Sequence, residues 1–208
     1  MFLQNRFMQT SNLGYNKDEL IVADIRGMQG SRDAFDNQIK EYSGVNDVTY
    51  SNFSLSSTDD YEKYSRPYRG EQIMFQVLPV HHSFIKVMGI DIIEGRDFRQ
   101  EDENIRQSVF IFNESARKQY GLELNTIVEG GDGGEIIGFM NDINFASFRM
   151  TVEPMAFFVM GNDYVWGRAN FAYIKLNKGT NMRAAMSHIN STLTKFDANY
   201  TFEVRFFQ

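Results

Sequence analysis

The amino-acid sequence predicts an α+β protein in which two β-α-β units, one at each end of the chain, form a common layer and a mixed α/β segment is inserted between them. Three observations carry this expectation. A strand, helix, strand rhythm of apolar residues occurs near the start of the chain and returns near its end. The middle has another texture, a polar, Tyr-rich stretch followed by short strand and helix signals in alternation. Finally, 42% of the 208 residues are hydrophobic and 14% aromatic, among them 19 Phe and 10 Tyr, more than a disordered chain carries and enough for a sizeable core. The expected boundaries are residues 1–58 for the first unit, 59–150 for the insert and 151–208 for the second unit.

The first unit opens with ELIVADI (Glu19 to Ile25), whose nearly continuous apolar run suits a strand buried on at least one face. Ser31 is placed to N-cap a helix with Asp33 in its first turn, Phe35, Ile39 and Tyr42 fall on one face, and Gly44 ends it. VNDVTYSNFSL (Val45 to Leu55) follows as the second strand. In the second unit FAYIKL (Phe171 to Leu176) leads into a Gly-Thr-Asn turn, where Thr180 or Asn181 supplies the N-cap. Met182, Met186, Ile189, Leu193 and Phe196 then draw one helical stripe, and TFEVRFF closes the chain as a strand. Units of such similar length suggest a duplicated, ferredoxin-like layer whose two helices pack on one face of a shared sheet.

In the insert, SSTDDYEKYSRPYRGEQ (Ser56 to Gln72) reads as a loop without helical or strand period. After it come IMFQVLPV as a strand, HHSFIKVM as a short helix, IDIIEG and SVFIFN as strands, ESARKQYG as a short helix and EIIGFMNDI as a strand. EGGDGGE (Glu129 to Glu135) reads as a hairpin turn needing positive φ. In IDIIEGRDF, Gly95 suits a sharp turn after which Arg96 and Asp97 can pair and Phe98 docks into the core, so this stretch reads as a structural corner.

Composition narrows the chemistry. A formal net charge of −6, a pI near 5.1 and scattered Lys and Arg argue against nucleic acid as a partner. With no cysteine, disulfides, thiolate metal sites and a cysteine nucleophile are excluded. No apolar run reaches the roughly 18 residues of a membrane helix, and MFLQNRFMQTSN lacks the basic and apolar regions of a secretory signal. His81 and His82 are adjacent, which sets them about 100° apart on a helix or on opposite faces of a strand, and neither geometry chelates one ion. The acidic set Asp97, Glu101, Asp102 and Glu103 lacks calcium-loop spacing. Gly-x-Gly-x-x-Gly, Gly-Lys-Ser/Thr and Gly-x-Ser-x-Gly are all missing. The expectation is therefore no catalytic residue, no cofactor and no metal, with neither ATP nor Zn²⁺ bound.

Six stretches, in order, carry a resemblance: LGYNKDELIVADI (Leu13 to Ile25), SFIKVMGIDIIEGRDF (Ser83 to Phe98), FIFNESARKQYGL (Phe110 to Leu122), IIGFMNDINFASFR (Ile136 to Arg149), Pro154, and YIKL with the helix and FEVRFF after it. With these the chain resembles the MacB-like periplasmic core domain of FtsX-like ABC-transporter permeases, in the form common in Bacteroidetes. The resemblance implies a discontinuous porter-like subdomain of two β-α-β units holding an inserted, mixed α/β Sabre-like subdomain. It further implies a periplasmic position between two helices of an inner membrane permease, with the nucleotide site on a separate ATPase subunit or domain. One departure is local: after Tyr120-Gly121-Leu122 the family often continues Pro-Ile-Gly, whereas here LELNTIVEGGDGG has no proline.

The function that the resemblance implies is non-enzymatic: an extracytoplasmic domain transmitting ATP-driven motion of membrane helices to an outside partner or substrate. The alternative is a ligand-binding or sensory module of a membrane protein. In DDYEKYSRPYRGE, Tyr61, Tyr64 and Tyr68 with Arg66 and Arg69 are candidates for contact with a periplasmic partner, since Tyr and Arg dominate interface hot spots. A solvated loop whose tyrosines cover neighbouring core residues is the competing reading.

Overall fold

The computed structural model describes residues 19–28, 32–55, 62–104, 108–131, 133–143, 152–160 and 169–207. Ser31 and Tyr61, expected as a helix cap and a partner contact, lie outside them.

The two chain ends build one layer. Strands β1 (Leu20–Asp24), β2 (Val45–Ser51), β10 (Phe171–Leu176) and β11 (Val204–Phe206) lie in the order β11-β1-β10-β2, each antiparallel to its neighbour. Each unit's two strands thus run parallel with one strand of the other unit between them, so neither unit forms a sheet alone. Helices α1 (Arg32–Ile39) and α4 (Met182–Phe196) cover one face, burying Phe35 and Ile39 beside Ala185, Ile189 and Leu193 against Ile21, Ala23, Ala172 and Ile174. Phe35 meets Phe196 edge to face at 5.8 Å. This is the shared face expected of the two apolar stripes, and each fully buried Ile or Leu in it contributes roughly 1.5–3 kcal/mol. Asn181 is the N-cap of α4, its side chain accepting from the Ala184 N–H at 3.1 Å, while Thr180 donates to the Asn177 carbonyl instead. Helix α1 is shorter than its stripe suggested. It ends at Ile39, and Tyr42 packs on the core from the following turn.

The opposite face is covered as well, by Phe84, Phe157 and Leu55 packing on Leu20, Val22 and Tyr173. That explains the apolar run of β1, all five of whose residues are buried. Burial pushes the Tyr173 phenol up to about 12. Its oxygen accepts from the Leu55 N–H at 3.0 Å and the Ser51 hydroxyl at 3.1 Å, pinning the chain as it leaves β2.

The inserted sheet continues from β2 through a single pair, Ser51 with Val80. Its strands are β3 (Glu62–Tyr68), β4 (Glu71–Val80), β5 (Ile92–Gly95), β6 (Ser108–Asn113), β7 (Ile127–Val128), β8 (Gly134–Met140) and β9 (Met155–Val159). The path runs β4-β9-β6-β8-β5, with β3 on β4 and β7 on β8. β9 pairs with β4 and β6, so the insert's sheet draws one strand from beyond residue 151. Short helices α2 (Phe84–Met88) and α3 (Glu114–Tyr120) and a 3-10 turn over Gln100–Asn104 complete it. Asn113, at the end of β6, caps α3 by accepting from the Ala116 N–H at 3.0 Å. A third core of Phe75, Phe110, Phe112, Phe139 and Phe158 fills one face of the insert's sheet.

Three expectations change here. Ser56 to Gln72 is not a loop throughout: β3 and β4 form a two-residue hairpin, with Arg69 at φ 51° and Gly70 at φ 85°, the twist that such hairpins need. His81 and His82 precede α2 rather than belonging to it. At the corner, Gly95 has φ 84° and Phe98 docks as expected, but Arg96 reaches Asp102 at 2.7 Å rather than the Asp97 carboxylate, which accepts from the Phe98 N–H.

Candidate functional site

The hairpin brings the proposed contact residues together, but mostly in the service of the insert itself. Tyr68 is 3% exposed. Its hydroxyl accepts from the Glu123 N–H and donates to Thr126 Oγ1, both at 3.1 Å, while Thr126 donates to the Glu123 carbonyl. Tyr68, a candidate for partner contact, is thus a buried strut of the insert. Tyr64 is half-buried, stacked on Phe158 and edge to face with Phe75. The Arg66 guanidinium sits 4.4 Å over the Tyr64 ring, and Arg69 grips Glu123 at 2.9 and 2.5 Å. Exposed pairs such as Arg69–Glu123 add little stability. An exposed apolar residue of the hairpin was missed: Met74, 59% exposed. Strand β3 pairs with β4 on one side, and at its other margin the Pro67 carbonyl accepts from the Glu129 N–H at 2.9 Å.

The second feature lies where the sheet crosses from β2 to β4. The turn after Val80 follows neither the helical nor the strand geometry assumed for adjacent histidines, and both rings converge on Glu103 of the 3-10 turn. His82 Nδ1 lies 2.9 Å and His81 Nε2 3.4 Å from Glu103 Oε1. The ring centroids are 4.1 Å apart. This corrects the expectation that the pair could not address one point. The His81 side chain is 13% exposed and that of Glu103 8%. Burial, reinforced by the charges of Arg32 and His82, pushes the His81 imidazole down to about 3. Ser83 Oγ lies 2.8 Å from His81 Nδ1 and donates to Thr49 at 3.0 Å. The sequence Ser83, His81, Glu103 resembles a hydrolytic relay in connectivity, but the hydroxyl proton points at Thr49, itself fully buried, and so away from any substrate.

Beside this cluster, burial pushes the Asp97 carboxyl up to about 6, against the lowering effect of the Phe98 N–H. On the helical face, Tyr50 donates to Asp36, and burial keeps that phenol protonated. Among the described residues no helix is long and apolar enough to cross a membrane.

No protein-family model matches the chain, and no curated protein matches it by sequence. Solved structures do match. The periplasmic region of MacB from Actinobacillus actinomycetemcomitans superposes with a TM-score of 0.68 at 14% identity, over 94% of this chain and 92% of that one. The extracellular domain of the noncanonic ABC-type transporter YknZ from Gram-positive bacteria gives 0.65 at 14% identity, over 89% of this chain and 99% of that one. The likeness establishes the fold, that of a MacB-like periplasmic domain.

Proposed function

We propose that this chain is the extracytoplasmic domain of an ABC-transporter permease of the MacB-like type and that it carries ATP-driven motion of the membrane helices to a partner or substrate outside. The observation that supports this reading most directly is the pairing of β1 with β11. Ile21 is the register partner of Phe206, and the Phe207 N–H donates to the Leu20 carbonyl at 3.0 Å. The chain therefore enters and leaves this layer at one point, as a domain held between two membrane helices requires. The insert continues the sheet beyond β2 and packs Phe84 and Phe157 on one face of the layer, so tilting the layer carries the insert with it.

In this reading the nucleotide site belongs to a separate ATPase subunit or domain. In the same reading the contact with an outside partner falls on Met74 of the hairpin's outer face and on Arg69 of its turn, while Arg66 lies on the inner face with Tyr64 and Tyr68. Tyr64 and Tyr68 hold that surface in shape.

The test uses the full-length membrane protein with a cysteine in place of Met74. A membrane-impermeant thiol reagent added from outside should label it, and labelling only from the cytoplasmic side would end the reading. A spin label at the same position should change its distance to a second label on a membrane helix when ATP is added. An unchanged distance in an actively cycling transporter would leave the location standing and remove the transmission of motion.

A further inference from the structure

We infer that His81, His82 and Glu103 form a binding site for a single divalent transition ion of the Zn²⁺ class, placed in the insert beside its junction with the terminal layer. The three ligand atoms lie within 4.8 Å of one another. Two imidazole nitrogens and one carboxylate oxygen are the donor types such ions prefer, and their spacing needs only small adjustment to meet around one ion at about 2.0–2.2 Å from each.

The hydrogen bonds around His81 make the case stronger than proximity does. Because Ser83 Oγ donates to Thr49, it accepts at its other side, and the proton of the neutral His81 ring sits on Nδ1. Nε2 then presents a bare lone pair to the Glu103 carboxylate oxygen at 3.4 Å. A cation seated between these two atoms would be held by both. The Ser83–Thr49 chain fixes tautomer and ring orientation, as outer-shell partners of metal-bound imidazoles do. His82 contributes Nδ1 once its proton moves to Nε2, and its greater exposure, 26%, leaves the remaining coordination positions to water or to a side chain from outside.

The location gives the ion a task. The His81 N–H donates to the Tyr50 carbonyl of β2 and its ring meets Tyr50 edge to face. All three ligands belong to the insert, so an ion here would clamp its Gln100–Asn104 turn to the segment that is hydrogen-bonded to β2 beside the Ser51–Val80 pair. This inference stands apart from the transporter reading and does not depend on it.

The experiment is calorimetric titration of the untagged domain with Zn²⁺, supported by the visible spectrum of added Co²⁺. One equivalent should bind, with a rise in the thermal midpoint, and Glu103→Gln and His81→Ala should each weaken binding by about tenfold or more. Absence of saturable binding, or binding undiminished in both variants, would overturn the site. Should the variants fold poorly, nitrogen NMR of the wild-type imidazoles decides: Zn²⁺ must move the His81 Nε2 and His82 Nδ1 resonances, and unmoved resonances refute the site as firmly.

Discussion

Arg96 and Asp102 face each other through two parallel hydrogen bonds, Nη1 to Oδ2 at 2.7 Å and Nη2 to Oδ1 at 2.9 Å, and the same Oδ2 accepts from the Arg99 N–H at 2.8 Å. Burial alone would raise the Asp102 carboxyl, but the Arg96 bonds, the Arg99 N–H and the positive charge of both hold it below 3.8. A depressed carboxyl stabilises the fold above its unfolded value and loses that contribution as pH falls through the folded one. Asp102→Asn should therefore cost about 1.5–3 kcal/mol at neutral pH, with the difference from wild type shrinking below pH 4 in urea unfolding followed by circular dichroism.

Asp97 runs the other way. Its carboxyl is raised to about 6 by burial, so the protonated form fits the fold, and the stabilisation present below pH 4 is lost as pH rises through 6. Asp97→Asn keeps an acceptor for the Phe98 N–H and should raise stability at pH 7 by about 1–3 kcal/mol. Its stability curve between pH 4 and 6 should be flatter than that of wild type, and equal slopes in the two proteins would contradict the argument.

Gly95 combines φ 84° with a backbone that leaves no space: an added Cβ would lie 2.3 Å from the Ile137 carbonyl oxygen. Gly95→Ala should lower stability by at least about 2 kcal/mol, since both the torsion and the contact are wrong for a side chain. A thermal midpoint within a degree or two of wild type would show that the corner relaxes.

On the hairpin, Tyr68→Phe leaves the Glu123 N–H without its acceptor and should cost about 1–2 kcal/mol. Arg69→Ala should leave the thermal midpoint unchanged, since both members of its ion pair are exposed. If Arg69 serves an outside partner, as the proposed function has it, only an assay of the full-length protein will register its loss.

Much of this was legible in the residues, for physical reasons that differ from place to place. SVFIFN and FAYIKL became strands to the residue because both have turns at their ends and apolar runs that only a two-sided core accommodates. The stripe of α4 follows the 3.6-residue period, so its buried face could be assigned directly. β3 escaped because its inward residues, Tyr64, Arg66 and Tyr68, are amphipathic, and counting only aliphatic residues hides their alternation with Lys63, Ser65 and Pro67. Arg69-Gly70 was the turn signal. The histidine cluster escaped for another reason: neighbouring side chains diverge only in regular elements, and no local pattern links His82 to a glutamate 21 residues onward.

The antiparallel contact of β1 with β11 also has a mechanical meaning. If the start of β1 and the end of β11 were drawn apart, the load would fall first on the Phe207–Leu20 hydrogen bond, then on the Ile21–Phe206 rung, then on Val22–Arg205 and Ala23–Val204, so that the strands would peel like a zipper instead of resisting in shear. Such a joint is weak in tension across its width but undisturbed when both ends travel together. A domain hung in this way is suited to being rocked or lifted as a whole, and poorly suited to being stretched.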